Sequence, residues 1–201
     1  MRIVHSPDSR DPVTRPLLFT GPKCAVAIPV IAHDPLLLDA LQQAALAPSV
    51  RAIRYRTGPE IECPRFSLAG VELHREDGIF LLRVSQTRPQ RSAEEIASVT
   101  HVLESHGLRL LERDAEDVSR EPLFSNVRAV FSHAGRHVSL TDRLAIGLAL
   151  EDGPQSIAEL EERARPNCDL VAAVSALACE GLLRLDIEDA NLGPRTMVLG
   201  P

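Results

Sequence analysis

The run Ile-Phe-Leu-Leu-Arg-Val-Ser at residues 79–85 constrains the fold more than any other segment. It follows Glu76-Asp77-Gly78, which favours a tight turn because Gly78 tolerates the positive φ that such turns use. Within the run, Ile79 and Leu81 fall on one face of a strand, and Phe80, Leu82 and Val84 on the other. A half-solvated strand would alternate apolar and polar residues. Apolar character on both faces predicts a central strand with cover on two sides.

The flanking segments supply that cover. Leu36, Leu37, Leu41, Ala44 and Ala45 recur at helical spacing and stop at Pro48, predicting a helix over 35–46 that packs on the sheet. Residues 50–56 read as a strand, followed by a Thr57-Gly58-Pro59 turn and extended runs at 60–68 and 71–74. Ser92 with Glu95 makes a capping-box pattern, and Ile96, Val99, Val102 and Leu103 form an apolar stripe that ends at Gly107. Residues 108–111 return as a strand. This strand-helix-strand unit implies a right-handed crossover and a mixed sheet.

Leu123, Val127, Val130 and Phe131 predict a connecting helix, and from Ser139 the pattern changes to three helices, over 140–150, 156–164 and 169–180. Two short apolar strands, at 182–187 and 196–199, close the chain. Three helices followed by a ribbon is the outline of a winged helix. Residues 1–23, rich in Pro, Arg, Asp and Ser, show little periodicity and predict an irregular arm. The expected divisions are an arm at 1–24, an α/β domain at 25–120, a connecting helix at 121–138 and a winged-helix-like domain at 139–201.

Composition narrows the function. A chain of 201 residues with 44% hydrophobic content can bury a proper core. The 3% aromatic content leaves little for base-stacking platforms. Lys23 is the one lysine among 22 basic residues, so a mechanism that needs a lysine in the central sheet has none. Residues 1–138 carry 17 basic and 17 acidic side chains, whereas 139–201 carry 5 and 11, so the second segment holds the whole net charge of −6. An acidic surface repels phosphate backbones. Cys24, Cys63, Cys168 and Cys179 show no CxxC spacing, and the N-terminus has no signal-peptide pattern, so the expectation is a reducing cytoplasm. The apolar stretch at 25–32 is too short to span a membrane, and no membrane association is expected.

The order of landmarks resembles the TnsA-type endonuclease subunit of heteromeric transposases. The resemblance runs through the helix at 35–46 with its Ala47-Pro48-Ser49-Val50 exit, Pro64 and Phe66, residues 82–85, and the junction containing Pro122, Leu123 and Asn126. It ends with Gly181-Leu-Leu-Arg-Leu-Asp186 and Leu192-Gly-Pro-Arg-Thr196. It implies a restriction-endonuclease-like mixed sheet flanked by helices, followed by a winged helix. In that family a helix glutamate would fall near Leu37, the metal-binding Asp at Arg65, a second acid or Gln at Arg83, and the catalytic Lys at Ser85. None survives. Mg²⁺ takes oxygen ligands, and a unit positive charge about 5 Å from a dication costs roughly 6–7 kcal/mol at an effective dielectric near 20. The resemblance therefore implies a scaffold without hydrolysis, with no cofactor and no metal, acting through a protein partner or a homodimer.

Several residues invite a sharper role. Arg54, Arg56, Arg65, Arg83 and Arg88 fall on or next to neighbouring strands and could line a cationic groove for DNA phosphate, or they could pair with Glu60, Glu62 and Glu72. Glu60, Glu62, Glu72, Glu76 and Asp77 could form a relocated Mg²⁺ site, which would make the chain an active endonuclease; solvated strand and turn acids are the commoner case. His133 and His137 have helical metal-pair spacing, but Gly135 interrupts them. The helix at 167–180 carries Asp169 and Glu180 and no basic residue, which argues against a groove-reading transcriptional regulator. Its apolar residues, with Leu170, Val174 and Leu177 foremost, are expected to face a partner.

Overall fold

The computed structural model describes residues 17–30, 34–62 and 65–200. The chain is a mixed α/β protein whose main sheet has four strands in the order β3 (Val50–Arg56), β6 (Gly70–Arg75), β7 (Gly78–Val84) and β8 (Arg109–Arg113). Strands β3, β6 and β7 pair antiparallel in succession, and β8 lies parallel to β7. The parallel pair is possible because α2 (Ala93–Ser105) carries the chain back between them.

Local chemistry sets the elements. Helix α1 (Pro35–Leu46) starts where Asp34 Oδ1 accepts the Leu37 N–H at 3.0 Å, with Pro35 fixed in the first turn. The capping box of α2 is present in full, with the Ser92 and Glu95 side chains each bonding the other residue's N–H. Helix α2 ends before Gly107, whose φ of +69° is cheap only for glycine.

The two faces of the sheet bury separate cores. On one, α1 packs over Ile53, Val71, Leu73, Phe80 and Leu82. On the other, α2 packs Val99 and Leu103 against Leu81, Phe66 and Leu68. Residue 81 thus faces one core while 80 and 82 face the other, as expected of a strand apolar on both sides.

Two expectations change in the first third of the chain. Residues 1–16 lie outside the described residues, but the arm expected to reach 24 contains β1 (Leu17–Phe19), paired antiparallel with β2 (Ile28–Val30). Phe19 is buried, so an apolar side chain anchors this Pro-rich stretch to the α1 core. The extended run at 60–68 does not enter the main sheet. It forms a separate hairpin of β4 (Glu60–Glu62) and β5 (Arg65–Ser67), while Cys63 and Pro64 lie outside the described residues. A short helix α3 (Ala115–Val118), capped by Asp114 and Asp117, follows β8 and was not legible as a separate element.

Helix α4 (Leu123–Phe131) packs on α1 and on α7 (Leu170–Cys179), and Phe131 touches both cores, its ring centroid 6.2 Å from that of Phe19. Beyond it come α5 (Leu140–Leu150), β9 (Gln155–Ser156), α6 (Ile157–Ala164), α7, β10 (Arg184–Leu185) and β11 (Met197–Leu199). The three short strands form a sheet in the order β10-β11-β9. No described helix is long and apolar enough to cross a membrane.

Candidate functional site

The positions where a nuclease would gather its ligands do not converge. Leu37 on α1 packs into the α1 core together with Val84. Strand periodicity puts Arg83 and Ser85 on the face opposite to Leu82 and Val84, so the sheet separates Leu37 from the pair on β7. Arg65 was expected on a strand neighbouring β7. It instead pairs with Glu62 in the β4–β5 hairpin, and its side chain lies outside the described residues. The strand that does pair with β7 is β6, whose α1-facing residues are Val71 and Leu73.

Arg83 is built into the fold. Its Nη1 and Nη2 each donate to the Ala69 carbonyl at 3.1 Å, and Nη2 also reaches the Ser67 carbonyl. The guanidinium carbon stands 5.1 Å above the Phe66 ring. Burial lowers the pKa of this arginine, with Glu60 opposing the shift. A Cβ at Gly70 would come within 2.6 Å of Arg83 Nη1, so the glycine makes room for it. Ser85 Oγ donates to its own loop, to the Thr87 carbonyl at 2.9 Å.

Of the other arginines expected along a cationic groove, Arg56 and Arg88 are also committed to acids of the chain. Arg56 Nη1 bonds Glu72 at 3.0 Å, and Glu72 also contacts His74 at 3.3 Å. Arg88 lies beyond β7 and pairs with Asp117 at 2.5 Å and Asp114 at 3.6 Å, beside α3. Arg54, directly opposite Glu72 in the ladder, is exposed.

Three of the five acids considered for a relocated metal are similarly occupied. Glu72 serves Arg56 and His74, Glu76 pairs with Arg51, and Asp77 pairs with Arg75 at 3.1 Å. Glu60 is exposed, and the side chain of Glu62 lies outside the described residues. Among the described residues, no group of three His, Cys, Asp or Glu side chains gathers as metal ligands would. His133 and His137 lose their helical relation because α4 ends at Phe131 and Gly135 takes φ +76°.

The expected partner face on α7 is corrected. Leu170, Val174 and Leu177 are 4, 0 and 3% exposed and sit in the core between α4, α6 and β10. A helix apolar all round is an interior helix, and α7 is one. The exposed apolar row lies on α5, where Leu140, Leu144 and Leu148 are 71, 58 and 62% exposed, while Ile146 and Ala149 point inward. The sequence did carry this signal as leucines four apart beside a second, inward stripe, and only the packing decides which stripe is covered. A groove of about 260 Å³ borders the row, lined by Gly147, Leu150, Leu177, Leu182 and Leu183, with Arg143 and Glu151 alongside.

A second cavity, about 430 Å³, lies between the end of α1, the sheet and β10, lined by Leu46, Leu82, Arg113 and Arg184 among others. Ala47 also lines it, and its carbonyl accepts from Lys23 Nζ at 2.5 Å. Burial, with Arg184 nearby, pushes the Lys23 amine down to about 8. Lys23 is thus a packed residue that ties the N-terminal strand segment to the α1–β3 connection.

No protein-family model matches the chain, and a comparison with curated proteins finds no match either.

Proposed function

We propose that the chain is a non-hydrolytic, TnsA-like subunit whose work is protein assembly. The element order supports a restriction-endonuclease-like core: helix α1, three antiparallel strands, helix α2 and a fourth strand parallel to the third. The order α5-β9-α6-α7-β10-β11, with β11 central in its small sheet, supports a winged-helix-like unit behind it. The observation that carries the non-hydrolytic reading is how the ligand positions are filled. The α1 side holds Leu37, Leu82 and Val84, and the opposite side holds Arg83 bonded to two backbone carbonyls. A nuclease of this type needs carboxylates there to hold a metal that polarises phosphate.

Assembly is favoured over DNA reading by two features of the second unit. Its α7 is buried and has no basic side chain, and its exposed α5 face is a row of leucines. The test is nicking of supercoiled plasmid by the full chain with Mg²⁺ or Mn²⁺. No cutting is expected, and metal-dependent cutting abolished by Glu72→Ala would overturn the reading.

A further inference from the structure

Helix α5 buries one face and leaves another bare. Leu140, Leu144 and Leu148 stand in one row because residues four apart share a helix face. Gly147 lies beside that row, and a methyl group added there would meet nothing within 4 Å. Contacts inside the chain give no reason for a glycine in mid-helix, where it weakens the helix. A backbone approaching from outside does give one.

We propose that this face pairs two copies of the chain, with the two α5 helices antiparallel about a two-fold axis near Leu144. The pairing rests on the assembly role proposed above and names its partner. Protruding leucines and the groove that could receive them lie on the same patch, as a two-fold contact requires of a self-complementary surface. With the axis at Leu144, Leu140 of one copy meets Leu148 of the other.

The charges choose the direction. Arg136 and His137 precede α5, and Glu151 and Asp152 follow it. Antiparallel packing sets the basic end of one helix beside the acidic end of the other and opposes the two helix dipoles favourably. A parallel pair would set like charges together. Asp152 already holds Arg163 of its own chain, so Glu151 is the acid free to face Arg136 of the second copy. Leu182, 51% exposed at the groove edge, widens the contact from a line to a face. Three helical turns and their margins fall near or below the ~800 Å² per partner of a standard interface, which places the dimer among reversible ones.

Sedimentation velocity of the full chain across the micromolar range tests this. The expected result is a monomer–dimer equilibrium in which Leu144→Asp raises the dissociation constant about thirty-fold or more, with an unchanged unfolding midpoint as the folding control. Gly147→Ala should raise the unfolding midpoint of the monomer yet weaken the dimer. Under mild oxidation Leu144→Cys should cross-link to itself. Leu140→Cys and Leu148→Cys should link only when mixed, with the parent chain as the control for its own cysteines. A chain that stays monomeric, a dimer indifferent to Leu144→Asp, or Leu140→Cys linking to itself overturns the pairing. Plasmid cutting by wild type removes the non-hydrolytic reading whatever the oligomeric state, and a monomer that does not cut removes the dimer alone.

Discussion

Asn126 joins the two halves of the molecule, and its removal can be costed from the structure. Buried on α4, it donates through Nδ2 to the carbonyls of Ile187 at 2.9 Å and Ala190 at 2.7 Å, and its Oδ1 accepts the Leu192 N–H at 2.9 Å. These bonds hold the loop between β10 and β11 against the connecting helix. Asn126→Ala removes all three, at about 1 kcal/mol net each, and strands at least one buried backbone group at a further 1–2 kcal/mol. The expected loss is about 4–5 kcal/mol, or roughly 8–20 °C in Tm for a chain of this length. Asn126→Asp keeps the shape but turns two donors into an acceptor facing carbonyls, so it should cost at least as much. Thermal and urea unfolding followed by circular dichroism measure both variants, and hydrogen exchange at the Leu192 amide should quicken ahead of the core. A loss under about 1 kcal/mol in both variants would refute the role assigned to this side chain.

Leu170→Ala should cost about 2–5 kcal/mol as a core cavity and leave the oligomeric state unchanged; altered association with intact stability would return α7 to the surface. Arg83→Glu should destabilise more than Arg83→Ala, because a carboxylate would face the Ser67 and Ala69 carbonyls, and urea midpoints of the two variants decide it. Lys23 has a folded pKa lowered to about 8, so the unfolded chain binds the extra proton between there and the ordinary lysine value of about 10.4. Stability at this site therefore rises with pH across that window. Lys23→Met should flatten the rise when denaturation is measured from pH 7 to pH 10, and identical pH profiles for the two proteins would show that the amine is not desolvated.

What the sequence disclosed was set locally. The α1 boundaries follow from Asp34, Pro35 and Pro48, the α2 start from the Ser92–Glu95 box, and the central position of β7 from its two apolar faces. What it hid depends on distant packing. Two helices of the C-terminal unit are rich in apolar residues, and composition alone does not say that α7 is enclosed by α4 and α6 while α5 keeps a bare row. An extended run through residues 65–67 is legible, but its pairing with β4 is a choice among partners that no local pattern makes. The arginines were legible as a cluster along neighbouring strands. Their commitments were not, since Arg83 bonds carbonyls 14 and 16 residues away and Arg88 finds an acid 29 residues on.

The interlock of Arg83 with Gly70 makes position 83 hard to change. With an acid at position 83, the β5–β6 connection would hold two carbonyls with no donor, beside a glycine whose open space a guanidinium fills. A working intermediate would need the loop, the glycine and the strand to change together. A lineage descended from this chain would therefore gain new uses on its outer surfaces sooner than on this face of the sheet.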